Sequence, residues 1–247
     1  MKRFVLFTWL ETKLYFRQFF SPFFAIAFPV MLLLLFGSIW GNAPSEFYGG
    51  FGGADVTTAT TIGIVIVVNG IMSLPLTLAH YRSRKILKRL RATPTSPATL
   101  LAAQVVVNVA MTIVGTVILI LVGVMVFGVH VVAGFWSFAG AVGLTMLSIY
   151  SMGLVIAAVA PSERASEVIG NLIYFPMMFL SGASLPIQLF PEGLRRFTQI
   201  FPLTHGVTLI KGIWLGGSFA DYGTAVIVLG ATTIGFSIIA ALSFRWE

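Results

Sequence analysis

The chain has 247 residues, 57% of them hydrophobic and only 9% charged, whereas an ordinary soluble domain carries about 25% charged residues. Lipid is therefore the solvent for most of it, and six spans of roughly 20 apolar residues each would leave only short loops and no separate soluble domain. The formal charge of +7 does not signal nucleic acid, because the basic residues sit between long apolar stretches and read as topology signals. The lack of cysteine excludes disulfides and thiolate metal sites, and His80, His130 and His205 are far apart with no clustered carboxylate.

At the amino end Lys2 and Arg3 precede an apolar run, but Glu11, Lys13 and Arg17 interrupt it and no small-residue cleavage site follows, so the first residue is expected to be kept. Val5, Trp9, Phe16 and Phe20 fall on one helical stripe with Lys13 and Arg17 beside it, which predicts an interfacial helix over residues 1–20. Phe4, Phe7 and Leu10 fall off that stripe.

The first span is expected from Pro22 to Trp40, with Pro29 inside it, and the second from Val56 to Ala79, kinked at Pro75. A basic segment from His80 to Thr93 closes with Pro94-Thr95-Ser96-Pro97, where Ser96 suits an N-cap and Pro97 a first helical position. The third span is expected from Leu100 to Phe127, the fourth from Gly134 to Ala160, and the fifth from near Glu167 past Asn171, Tyr174 and Pro176.

Beyond it, Ser181-Gly182, Pro186, Phe190-Pro191 and Phe201-Pro202 forbid one continuous helix. They predict short broken helices over 181–217 that dip into the membrane or lie along it. The last span is expected from Tyr222 to Leu242. Lys and Arg number twelve in the termini and alternate loops and three on the other side (Arg195, Arg196 and Lys211), which places both termini and the basic loop in the cytoplasm.

The spans as drawn contain no Asp, Glu, Lys or Arg, which argues against a proton- or sodium-coupled transporter. No phosphate loop of the G-x-x-x-x-G-K-[ST] kind is present, so a pump built on this chain needs a partner to bind ATP. Ile86, Leu87 and Leu90 would form an apolar ridge among the basic residues of 82–91, able to enter a cleft on a soluble subunit. A solvated loop that only fixes topology or binds anionic headgroups is the competing reading.

The basic helix ending in Arg91-Ala92-Thr93-Pro94-Thr95-Ser96-Pro97, followed after the fifth span by Ser181-Gly182, Pro186, Pro191 and Pro202-Leu203-Thr204-His205, resembles the permeases of type-2 ABC exporters, in particular their daunorubicin-resistance and multidrug-efflux branch. The family commonly has Glu and Gly in the first turn of that helix, where this chain has Arg82, Ser83, Arg84 and Lys85. The resemblance implies a single all-α membrane domain of six spans behind an interfacial helix, a permease dimer, and ATPase subunits that hold the ATP and Mg, with no cofactor in this chain. It also implies a bacterial or archaeal cytoplasmic membrane. It makes 82–91 a coupling helix, with Arg84, Ile86, Leu87, Leu90, Arg91 and Arg17 as contacts to the ATPase, and 181–205 an outer cap with Ser181, Gly182, Pro186, Pro191, Pro202 and His205.

The second and fifth spans line the path in such exporters, which points to Asn69, Met72, Asn171, Phe175 and Phe179 as substrate contacts for a hydrophobic or amphipathic cargo. Asn can instead bond a neighbouring helix, and Phe or Met can face lipid. Two alternatives stand beside this reading. One is a permease for polysaccharide or glycolipid. The other is an intramembrane hydrolase using Ser181 or Ser184, which would need His205 folded back as its base.

Overall fold

The computed structural model describes residues 2–17, 22–86 and 97–243, and each regular element in it is a helix. In chain order these are α1 (Lys2–Arg17), α2 (Phe23–Trp40), α3 (Gly53–Ser83), α4 (Pro97–Phe127), α5 (Phe135–Val159), α6 (Glu163–Leu180), α7 (Glu192–Thr198), α8 (Pro202–Trp214) and α9 (Gly223–Ser243). Among the described residues, α2 to α5 and α9 with its preceding turn are long and apolar enough to cross a membrane. The protein is an all-α integral membrane protein. Helix α6 has 18 residues but carries Glu163, Arg164 and Glu167 in its first two turns.

Helix α3 organises the bundle. It touches α2, α4, α5, α6 and α8, and 83% of its apolar stretch is buried inside the protein, against 22% for α2 and 17% for α9. The outer helices therefore meet lipid while α3 meets protein. Its buried hydroxyls are satisfied locally: Thr58 Oγ1 donates to the Ala54 carbonyl at 2.8 Å and Thr60 Oγ1 to that of Thr57 at 3.2 Å. Such back-bonding lets threonine sit in a dry interior without an orphaned donor.

The kink expected at Pro75 takes the form of a π-helical segment, Val68–Ser73, just ahead of that proline. Proline cannot donate to the carbonyl four residues back and its ring crowds that carbonyl, and a widened turn relieves both problems. A second π segment, Phe23–Ala27, precedes Pro29 in α2 for the same reason.

At the wide turn of α3 the chain crosses α5 at very close range. A Cβ built on Gly153 would lie 1.9 Å from the Gly70 carbonyl oxygen, and one on Gly70 would lie 2.7 Å from the Tyr150 ring. Small residues at a membrane helix crossing let backbones approach, and packing then replaces the missing hydrophobic driving force. Polar bonds close around this point. Tyr150 OH donates to the Asn108 carbonyl at 2.9 Å and lies 2.7 Å from Thr112 Oγ1.

The helices differ from the expected boundaries at functional places. Helix α3 extends past both ends of the stretch Val56–Ala79, taking in Asp55 and Arg82. The helix expected over 82–91 does not begin at Arg82: Arg82 and Ser83 finish α3, and the chain turns at Arg84 and Lys85, the latter with a left-handed φ of 56°. Ile86 is the last described residue before Pro97; Leu87, Leu90 and Arg91 lie outside the described residues.

Candidate coupling and translocation sites

The basic end of the bundle is tied together by a buried carboxylate that the sequence reading passed over. Glu11 of α1 is 4% exposed and accepts hydrogen bonds from Tyr81 OH at 2.5 Å and from Gln104 Nε2. Three helices, α1, α3 and α4, thus share one acceptor. Burial raises the Glu11 pKa above the ordinary carboxylate range, and the two donors oppose that rise. One helical turn farther along, Tyr15 OH donates to Asn69 Oδ1 at 2.9 Å.

The face of α1 that meets the bundle therefore runs through Phe4, Phe7, Thr8, Glu11 and Tyr15, while Val5, Trp9 and Phe16 are exposed. The apolar stripe seen in the sequence points away from the protein, as a helix lying in a membrane interface would have it. Lys13 and Arg17 are exposed beside it.

Two further links brace this end. His80 Nδ1 lies 3.0 Å from Glu163 Oε2, joining α3 to the start of α6, and an Arg82 guanidinium nitrogen donates to the Ala158 carbonyl at 3.3 Å. Arg84 and Lys85 are exposed at the reversal. Ile86 is half-buried and packs on the cluster of Tyr81 and Leu100, as Phe7 does. It therefore packs in part on its own chain.

The five residues proposed for the path do not form one surface. Asn69 is fully buried, held by Tyr15 and by its own bond to the Val65 carbonyl at 3.0 Å. Met72 packs half-buried against the core. Asn171, Phe175 and Phe179 share a stripe of α6 at a spacing of four, continued by the exposed Leu172 and Val168, with Phe175 49% and Phe179 48% exposed. Elsewhere, between α4, α5 and α9, an apolar cleft of about 760 Å³ is lined by Ile113, Thr116, Phe138, Met146 and Trp214. Thr116 Oγ1 and Trp214 Nε1 are buried without a hydrogen-bond partner among the described residues.

At the opposite end Asp55 is a second hub. Its carboxylate accepts from Gly52 N at 3.2 Å, His130 N at 2.9 Å and Asn42 Nδ2 at 3.3 Å, while Asn42 Oδ1 accepts from Asp55 N at 3.0 Å. A carboxylate at a helix N-terminus is favoured by the free amides there. Here it also pins the 41–52 loop to the 128–134 loop.

The segment after α6 is broken as the prolines require. Ser181 and Gly182 turn the chain, with Gly182 at φ 83°, and Pro186 begins a short turn. Pro191 caps α7 and Pro202 starts α8. Ser181, Gly182, Pro202 and His205 are buried, and Pro191 is exposed. His205 Nε2 is 2.9 Å from the Gln199 carbonyl, and Thr204 Oγ1 donates to that of Thr198 at 2.6 Å. The imidazole thus braces the turn between α7 and α8. His205 is engaged with the Gln199 carbonyl, and Ser181 Oγ accepts from Ala183 N at 3.4 Å. No group of three or more potential metal ligands exists among the described residues.

Residues 2–215 match the family described as "ABC-2 type transporter". The chain belongs to that family. Its members similar to this chain include Nodulation protein J of Rhizobium meliloti (strain 1021), 34% identical over 82 residues, which are 33% of this chain and 31% of the relative. Inner membrane transport permease YhhJ of Escherichia coli (strain K12) is 25% identical over 190 residues, 74% of this chain and 51% of the relative. The aligned chain thus spans about a third of the first relative and about half of the second. The match takes in both ends of the bundle, from the Glu11 hub to α8, and leaves out α9.

Proposed function

We propose that this chain is the membrane permease of an ATP-driven exporter, working as a pair of copies with a separate ATPase docked on its basic end. Its polarity of charge is the observation that carries the reading: Lys13, Arg17, Arg84, Lys85 and Arg164 are exposed around one end of the helical bundle. That end is then cytoplasmic by the excess of Lys and Arg. The membership of the ABC-2 type transporter family supports it.

On this reading a push from the ATPase enters where α1, α3, α4 and α6 are bonded together, through Glu11, Tyr81, Gln104, His80 and Glu163. Those links make the basic end one body, so force applied beyond Ile86 reaches α3 and α6 together. The stripe of exposed Val168, Leu172, Phe175 and Phe179 with the half-buried Asn171 faces the path between copies. The cargo is hydrophobic or amphipathic, a reading supported by the 760 Å³ cleft, whose size falls in the range of about 300–1,000 Å³ that suits a drug-sized ligand.

The test is purification together with an ATP-binding cassette ATPase subunit, followed by transport in vesicles. Uptake by the permease alone would overturn the proposal. Within the complex, Leu87→Asp combined with Leu90→Asp is expected to abolish cargo-stimulated ATP hydrolysis while leaving the bundle assembled. Stimulation equal to that of the unmodified complex rejects the coupling role of the 82–91 segment.

A further inference from the structure

The end of the bundle opposite the basic one contains a cavity of about 220 Å³ enclosed by the 47–49 turn, the first turns of α3, the 182–188 segment and α8. Lys211 of α8 lines it, partly buried, with no hydrogen-bond or ion-pair partner among the described residues. Burial lowers the pKa of this lysine, since the charged form is the one that water stabilises. Ser184, 9% exposed, lines the same cavity, and its hydroxyl is buried without a partner among the described residues.

Lysine is almost never fully buried unless paired, so a partly buried one without a partner is short of an anion, and a buried hydroxyl normally finds a bond. Two unmet polar groups of complementary kind facing one cavity are therefore a ligand signature. The ammonium asks for an anion and the hydroxyl for an acceptor beside it. The remaining wall is mixed, with Trp40, Tyr48, Leu185 and Ile187 on one hand and the polar Thr57, Thr60, Gln188 and Thr208 on the other. A volume of 220 Å³ is below the roughly 300 Å³ at which drug-sized pockets begin, so the cavity fits a headgroup and not a whole amphiphile.

We propose that this cavity binds an anionic phosphate-class headgroup, with the Lys211 ammonium as its counter-ion and the Ser184 hydroxyl as a second donor. Any tail leaves past the aromatic wall into the membrane. The proposal relies on the exporter reading only in making this the release side, where a departing anionic amphiphile or an outer-leaflet lipid would lodge.

The test needs neither ATP nor transport, so it fails or succeeds independently of the exporter reading. The full chain in dodecyl maltoside is treated with an amine-reactive ester, and the modification rate of Lys211 is followed by mass spectrometry of its peptide, with Lys13 and Lys85 as controls. Adding phosphatidylglycerol is expected to slow Lys211 about tenfold, as one charge-assisted hydrogen bond would, and to leave the controls unchanged. Ser184→Ala, checked for a monodisperse elution profile, is expected to lose part of that protection. Protection by inorganic phosphate as well would identify a free anion as sufficient; protection by the lipid alone would identify the amphiphile. If neither slows Lys211, or if uncharged diacylglycerol protects it equally, the proposal is overturned.

Discussion

Gly153→Ala is expected to be among the most damaging single-methyl additions to this chain. The new carbon would fall 1.9 Å from the Gly70 carbonyl oxygen, and because that atom is backbone, no side-chain rotation can relieve the clash. Helices α3 and α5 would have to separate, which breaks the packing around Tyr150 and strains its bonds to Asn108 and Thr112. Overpacking in cores costs about 1–3 kcal/mol, and a rigid backbone partner puts this site at the upper end. The comparison is Gly143→Ala in the same helix, whose added carbon meets nothing within 4 Å. That change should be neutral or stabilise by about 0.5–1 kcal/mol through helix propensity. Thermal unfolding of the two variants in detergent, followed by loss of the monodisperse species, separates them. Equal midpoints would refute the close crossing.

Removing the Glu11 carboxylate is the second large effect expected. Glu11→Ala strips the acceptor from Tyr81 OH, a buried donor that costs about 1–3 kcal/mol when left unsatisfied, and leaves Gln104 Nε2 only its 3.1 Å bond to Tyr81 OH. Helix α1 should detach from α3 and α4, seen as fast amide exchange from Thr8 to Tyr15. Glu11→Gln keeps an acceptor and should retain the docked helix. The two differ again in their response to pH. Because the Glu11 pKa is raised in the folded protein, the docked state binds a proton more tightly than the detached one. The contribution of this group to docking therefore grows as pH falls through the raised pKa and levels off below the ordinary carboxylate value. Exchange protection of α1, corrected for intrinsic rates, should rise over that acidic window in the unmodified chain and stay flat in Glu11→Gln.

These two sites also show how far the sequence could be read. The apolar runs were long enough to mark α2 to α5 and α9, because a helix that must shield its own backbone in lipid leaves a composition signal that no neighbour is needed to create. Proline and glycine marked the breaks after α6 for an equally local reason. Tertiary bonds left no such trace. Asn69 looked like a residue for the path because it is a polar side chain in an apolar run, but the partner that withdraws it, Tyr15, lies 54 positions away. Glu11 read as a mere interruption of an apolar segment, since its donors come from two other helices. Lys211 entered the topology count as one of three basic residues on the sparse side, and only the folding of α8 against the 182–188 segment shows that it faces a cavity. Had the i, i+4 pair Glu11 and Tyr15 been read together as one polar face of α1, the docking side of that helix would have been recoverable.

The wide turn at Val68–Ser73 bears on which length changes this chain can accept. A π segment holds one residue more than the α-helix it interrupts, so a deletion inside it can be absorbed by reversion to a regular α-helix, whereas a deletion in the α-helical stretch after Ser73 would swing everything beyond it by about 100° around the axis. Tyr81 would then face away from Glu11, and His80 away from Glu163. The spacing between Leu74 and Tyr81 is thus fixed by two separate appointments, one with α5 at Gly70 and one with α1 at Tyr81, and indels in that interval are tolerable only as compensating pairs.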